Sequence, residues 1–302
     1  MKDFSMPLPL HELAALGTAT CWATTGLISA DAVRALGAFH FNVIRQLFVS
    51  AILAVIVLAA GLWVGMDWPA VAVLAASGII GILVGDTFNF AAIGRIGPRR
   101  AAAIFALNAP MAAVMGWAFL GEALGLQAWL GIAVTVAGVA LAILGRPGVN
   151  AHRLEALQGT ILIGVIFGLM GGFGQAVGSL IARPVMTAGL NPYVASLIRV
   201  GASGLTMGIM AALPFAPAMP RRVSRGALIL TAITAIIGLL IGMTLFLYAL
   251  QGSKTGIIAT LSATSPVIIL PLMWWRTGQR PSALSFCGAA LAVMGLALIF
   301  TR

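Results

Sequence analysis

Charge is what this sequence has least of, and acid is scarcer still: charged residues make up 8% of the 302, and only 7 are Asp or Glu. A soluble globular domain carries roughly 25% charged residues. At a third of that share a water-facing surface cannot be covered, so a soluble fold is excluded. Cysteine is almost missing too. Cys21 and Cys287 both lie within apolar runs, which excludes a disulfide framework and makes each a small buried side chain. The three histidines, His11, His40 and His152, stand apart near the ends of apolar runs. Neither a GxSxG elbow, a phosphate loop nor a His/Asp/Glu cluster at ligand spacing appears. The chain reads as a non-enzyme that needs no metal and no cofactor.

Apolar residues, by contrast, make up 61% of the chain, and the mean hydropathy is +1.09. The net charge of +10 comes from arginines scattered singly or in pairs between apolar runs, without a basic stripe, so nucleic acid is not an expected partner. The expected partner is a lipid bilayer. A spanning helix needs about 20 mainly apolar residues, and ten such segments can be drawn: 10–33, 39–62, 70–94, 98–119, 125–145, 158–182, 191–213, 226–250, 255–275 and 282–301. The first is too long for the apolar core of a cleavable leader, about 7–15 residues, and is taken as a retained span.

The sequence repeats itself. Arg45 in FNVIRQLF matches Arg199 in ASLIRVGA, Pro110 matches Pro266, and Gly131 and Gly138 match Gly288 and Gly295. The spacing between partners drifts little across most of a half-chain. The expected organisation is therefore 10–145 and 158–301 as two five-helix units, with 146–157 as the linker. Five is odd, so the copies must face opposite ways in the membrane. The expected fold is all-α integral membrane: ten transmembrane helices as two inverted repeats, an arrangement characteristic of alternating-access transporters.

Orientation follows from basic residues. Loops after odd-numbered segments hold Arg34, Arg95, Arg99, Arg100, Arg146, Arg153, Arg221, Arg222, Arg225, Arg276 and Arg280; the other side holds Lys2, Arg183, Lys254 and Arg302. By the positive-inside rule both termini face outward from a bacterial inner (plasma) membrane. Trp63, Trp68, Trp274 and Trp275 read as interfacial anchors.

Within the spans, Asp86 is costly and therefore a functional candidate. At ~1.5 Å per residue, Asp86 and Arg45 fall roughly 9–12 Å inside the same face on adjacent antiparallel helices. An ion pair there acts either as a register lock or as a proton-responsive latch, making protons a possible partner. Arg199 has Gly242 where Arg45 has Asp86, so a substrate carboxylate is its expected partner. Trp22, Phe88, Asn89, Phe90, Asn108, Gln175, Tyr248, Thr264 and Ser265 are aromatic or uncharged polar groups placed mid-span or near breaks, and are the candidate cavity lining. Pro110 and Pro266 are expected kinks. Gly164, Gly168, Gly171, Gly172, Gly174 and Gly178 mark a sixth helix built for close packing. Glu122, at a span end, reads as a solvated interfacial acid.

On Trp22, Arg45, the GDTFNFAAI run, Pro110, Gly121-Glu122, Gln127, Gly131 and Gly138, in that order and spacing, the chain resembles the ten-span branch of the drug/metabolite transporter superfamily with two EamA-type repeats. The resemblance is weaker over 158–300, where Gly278-Gln279 replaces Gly-Glu. It implies a secondary transporter, often an exporter of amino acids or related metabolites, with a central cavity between the repeats. A cation or multidrug antiporter, a sugar-phosphate exchanger and a non-transporting membrane scaffold are the alternatives. A cation antiporter lacks the deep acid expected in its first span, and a phosphate exchanger lacks clustered cavity Lys or Arg. One internal duplication makes a complete unit, so a monomer or weak homodimer is expected.

Overall fold

Long apolar runs with few breakers give long helices, and the computed structural model is built from them. It describes residues 10–63, 67–120, 123–145, 154, 156–214, 216–220, 222–251 and 261–300. The elements are α1 (Leu10–Leu36), α2 (Ala38–Ala59), α3 (Trp68–Ile96), α4 (Pro98–Phe119), α5 (Leu126–Leu144), α6 (Ile161–Thr187), α7 (Pro192–Ala211), α8 (Arg225–Ala249), α9 (Ser265–Thr277) and α10 (Ala283–Phe300). No strand occurs among the described residues. The first eight helices are long and apolar enough to cross a membrane. Of the ten expected spans, these eight meet the length among the described residues; α9 has 13 residues in the described part of the chain, with 252–260 outside it, and α10 has 18 with an apolar stretch, Ala283–Ile299, shorter than that length.

Single glycines join neighbouring helices where the chain must reverse at once. Gly37 (φ 77°) separates α1 from α2 and Gly97 (φ 84°) separates α3 from α4. A side chain at either position would sit in the strained left-handed region. Two helices are interrupted at matching places. α4 breaks at Ala106-Leu107 before its second half, which starts at Asn108, and α9 begins after a turn at Ala263-Thr264. Pro110 and Pro266 fall in the first turn after each break, where proline's missing N–H costs little. They shape the restart of a helix rather than kink its middle.

α3 and α8 each hold an eight-residue π-helical stretch, Ile79–Asp86 (IIGILVGD) and Ile236–Met243 (IIGLLIGM). This pairing corrects one expectation: Asp86 aligns with Met243, not with Gly242. The second half still places no acid there.

Helix contacts are reciprocal. α1 packs on α8 and α9, as α6 packs on α3 and α4; α2 packs on α7, and α5 on α10. The last pair meets along glycines, since a Cβ on Gly138 would lie 2.7 Å from the Gly288 carbonyl and one on Gly131 2.6 Å from that of Gly295. The α6 glycines do the same against α3 and α4: Gly168 faces Ile104, Gly171 faces Asn89, and Gly174 and Gly178 face Gly85 and Gly81. Small residues let backbones approach where lipid offers no hydrophobic drive between helices. Outside, large apolar side chains stand bare, among them Leu58, Phe119, Leu126 and Trp275, as a lipid-facing surface requires. Trp68, Trp274 and Trp275 are exposed with them. Gly121, Glu122, His152 and most of the 146–157 linker lie outside the described residues, although Leu154 within it is fully buried.

Candidate functional site

Three apolar clusters fill the interior, and a cavity of ≈ 60 Å³ opens where they meet. Phe90 and Ile93 come to it from one cluster, Leu239 and Met243 from a second, Ala263 from the third. α1 contributes Trp22 and Thr25, α2 Arg45, α3 Asp86 and Asn89, α4 Phe105 and Asn108, α6 Gln175, and the start of α9 Ser265 and Pro266. Of the expected lining, Trp22, Asn89, Phe90, Asn108, Gln175 and Ser265 are therefore brought together, along with both members of the expected ion pair.

Arg45 and Asp86 do meet, with Nη1 3.9 Å from Oδ2. Their contact comes from α2 and α3. Arg45 is almost fully buried, and its guanidinium lies beside a pair of touching rings, 5.3 Å from the Phe41 centroid and 4.5 Å from that of Phe90, the two centroids being 4.8 Å apart. Aromatic faces stabilise a desolvated cation without occupying its N–H groups. Nη2 donates to the Thr234 carbonyl at 3.3 Å, just ahead of the α8 π stretch, while Nε and Nη1 have no hydrogen-bond partner among the described residues. The guanidinium needs Gly238 beneath it: a Cβ there would lie 2.9 Å from Nη2.

Around the pair sit further unmatched polar atoms: Thr25 Oγ1, Asn89 Oδ1, both amide atoms of Gln175, and Ser262 Oγ. All four residues line the cavity. Thr25, Phe105, Gly238 and Ser262 were not anticipated. Thr25 follows Trp22 by three residues on α1, the spacing that puts side chains on one helix face, and Ser262 precedes Ser265 across the turn before α9. That was the signal that could have found them.

Arg199 departs from expectation. It is fully buried on α7 and does not line the cavity. Its guanidinium lies against Gly81 of the α3 π stretch, where a Cβ would be 3.2 Å from Nη2 and 3.7 Å from Gln175 Oε1. Gln175, which does line the cavity, thus shares this neighbourhood with Arg199. Arg45 against Gly238 and Arg199 against Gly81 are matching arrangements in the two halves, each arginine facing the other half's π stretch. Asp86 is within electrostatic reach of both.

Four other expected residues sit elsewhere. Tyr248 stacks on His11 with centroids 4.6 Å apart, and its carbonyl meets His11 Nδ1 at 3.1 Å. The Thr264 hydroxyl is turned back to the Leu261 carbonyl at 2.7 Å. Phe88 packs on Phe167, and Pro110 lies beyond the α4 break, off the cavity wall.

Comparison with known families settles the class. The profile of the EamA-like transporter family matches residues 10–144 and 162–301. The chain belongs to the EamA-like transporter family. Two EamA repeats account for nearly all of it. Comparison with curated proteins returns no match. Among 24 solved chains that match is a crystal structure with 19% sequence identity and a TM-score of 0.68, covering 95% of each chain, a likeness that shows the fold. EamA proteins are multi-pass membrane transporters, so a small-molecule substrate and a lipid surround come with the family.

Proposed function

We propose that this EamA protein is a secondary transporter of small polar metabolites, with amino acids or related compounds as leading substrates and export as the leading direction. It works by alternating access between two inverted five-helix repeats, 10–145 and 158–301, with α9 and α10 completing ten crossings. The reciprocal helix contacts and the paired π stretches support the inversion. The observation that carries the reading is a loosely bonded Arg45–Asp86 pair, exposed to a buried cavity at the junction of both halves. Intramembrane charges that face a cavity mark a solute path.

Among the described residues, Arg45 and Asp86 are the charged side chains in that lining. One cation is too little for a phosphoryl group, and the single acid is already offset by an arginine, which disfavours a cation exchanger. A volume of ≈ 60 Å³ is far below the roughly 300 Å³ of an ordinary ligand pocket, so helices must part to admit even a small solute.

The test is counterflow in proteoliposomes preloaded with unlabelled solute, across neutral amino acids, tetraethylammonium and glucose 6-phosphate. Accumulation of a labelled amino acid above empty liposomes is expected. Equality with empty liposomes for every amino acid overturns the substrate assignment.

A further inference from the structure

We propose that Asp86 changes partner as access alternates: the π stretch Ile79–Asp86 shifts register and carries the carboxylate from Arg45 on α2 to Arg199 on α7. Arg199 is then a positioning residue, the counter-ion of the second access state. This rests on the transport reading above and adds to it the event that joins the two arginines.

Placement comes first. α3 lies against both α2 and α7, which also pack on each other. α7 packs along α3 through its π stretch, with the Arg199 backbone beside Gly78 and its guanidinium beside Gly81. α2 packs on the turns that follow, Thr87–Ile96. Asp86 closes the stretch, so it stands where the one contact gives way to the other. Shifting a π turn by one residue along a helix rotates the residue it passes by about 100° and slides it ~1.5 Å. At this boundary the rotation exchanges a neighbour on α2 for one on α7.

Neither arginine holds the carboxylate tightly. A charge-assisted N–H···O bond closes to about 2.7–2.9 Å, whereas Arg45 Nη1 and Asp86 Oδ2 are 3.9 Å apart and Nη1 makes no hydrogen bond among the described residues. When Asp86 leaves, Arg45 keeps its ring contacts and its bond to the Thr234 carbonyl. Arg199 is fully buried, and its Nε, Nη1 and Nη2 have no hydrogen-bond partner among the described residues, although the field of Asp86 already reaches it. A buried cation left in that condition is costly. In either register one guanidinium faces Asp86 and the other does not, so the exchange is close to balanced. The duplication points the same way. Arg45 donates to Thr234, two residues before the α8 stretch, while Arg199 makes no such bond to Ser77, two residues before the α3 stretch. Inverted halves trade arrangements as access alternates, so the bond missing here belongs to the other state. Asn42 holds the present register, its Nδ2 donating to the Ile82 carbonyl at 3.3 Å and to Thr87 Oγ1 at 2.9 Å, on either side of Asp86.

The reporter is a cavity thiol in the full-length chain, Ala263→Cys with Cys21 and Cys287 replaced by alanine. An impermeant maleimide is added to right-side-out and to inverted vesicles, and the ratio of the two labelling rates reads the balance between access states with no solute present. Arg199→Gln and Arg45→Gln should move that ratio in opposite directions, each by about tenfold or more, since losing one partner of a buried ion pair is strongly unfavourable. Asn42→Ala, which frees the present register, should move it the same way as Arg45→Gln. Arg199→Lys keeps the charge and should restore the wild-type ratio. With Asp86→Asn in place, Arg199→Gln should add nothing, because the carboxylate is what couples the two sites. Elution profiles check that each variant is folded, and if Arg199→Gln is not, the shift in Asn42→Ala decides. A ratio that the variants leave unmoved, that both arginine variants move the same way, or that Arg199→Gln moves as strongly beside Asp86→Asn overturns the exchange and leaves the transporter standing. A cavity thiol that is labelled from one face alone, or from neither, with both arginines intact removes the transport reading itself.

Discussion

Two buried arginines at matching positions have different surroundings, and that difference separates their roles. Arg45 has aromatic faces, a carboxylate and a cavity edge. Arg199 has glycine and glutamine beside it and three nitrogens without a hydrogen-bond partner among the described residues. Acid that protonates Asp86 removes the charge that draws Arg45 to it, so low pH and Asp86→Asn should act alike. Wild-type counterflow is expected to change between neutral and acidic buffer, and that of Asp86→Asn to stay flat; a variant with the wild-type pH profile would remove the latch. A buried charge without hydrogen bonds carries a desolvation cost that nothing repays. Arg199→Met, with Asp86 still facing Arg45, should melt no lower than wild type in detergent and still bind substrate. The Arg45–Asp86 contact was legible from the sequence because depth along a helix is a matter of counting. The position of Arg199 was not, since α7 is apolar around most of its circumference and the sequence does not say which face meets the cavity.

At the level of elements, the two π stretches do what α-helix cannot: they bring backbone close to a guanidinium and to a facing helix at once. Asn42 of α2 donates to the Ile82 carbonyl within the first stretch, and Ser77 just before it to the Gly178 carbonyl of α6. π-bulges recur at functional sites and mark places where a helix can change register. Gly238→Ala, whose methyl would press on Arg45 Nη2 and Thr25, should leave the protein folded and slow counterflow, as read in the same vesicles. Gly138→Val is a different case. It meets backbone on α10 rather than a side-chain tip, so overpacking of about 1–3 kcal/mol or more should appear as a lower melting temperature and poorer recovery. The π stretches were not legible in advance. IIGILVGD and IIGLLIGM are apolar almost throughout, and a uniform run carries no period to tell 3.6 residues per turn from a wider helix. Their likeness to each other was legible, and with it the duplication.

The whole molecule is organised by that duplication. The contacts of α1 with α8 and α9 recur as those of α6 with α3 and α4, and the cavity lies where they converge, lined from α1, α2, α3, α4, α6, α8 and the start of α9. Composition alone made the membrane setting legible, because so little charge cannot cover a surface in water. The number of crossings was less so: run lengths are apolar enough for ten, and eight meet the length in the described residues. From the positive-inside count we propose that the α7–α8 loop with Arg222 is cytoplasmic and the C-terminus outside. A phosphatase reporter active at the C-terminus and silent in that loop is expected; the opposite pattern reverses the orientation. The most direct measurement of the account is thiol access to the cavity. With Cys21 and Cys287 replaced by alanine and Ser262 by cysteine, an impermeant maleimide should label the new thiol from either face in right-side-out and inverted vesicles, and transported amino acid should slow both reactions. Labelling from one face alone, or from both without protection, contradicts a central site that opens alternately to the two sides.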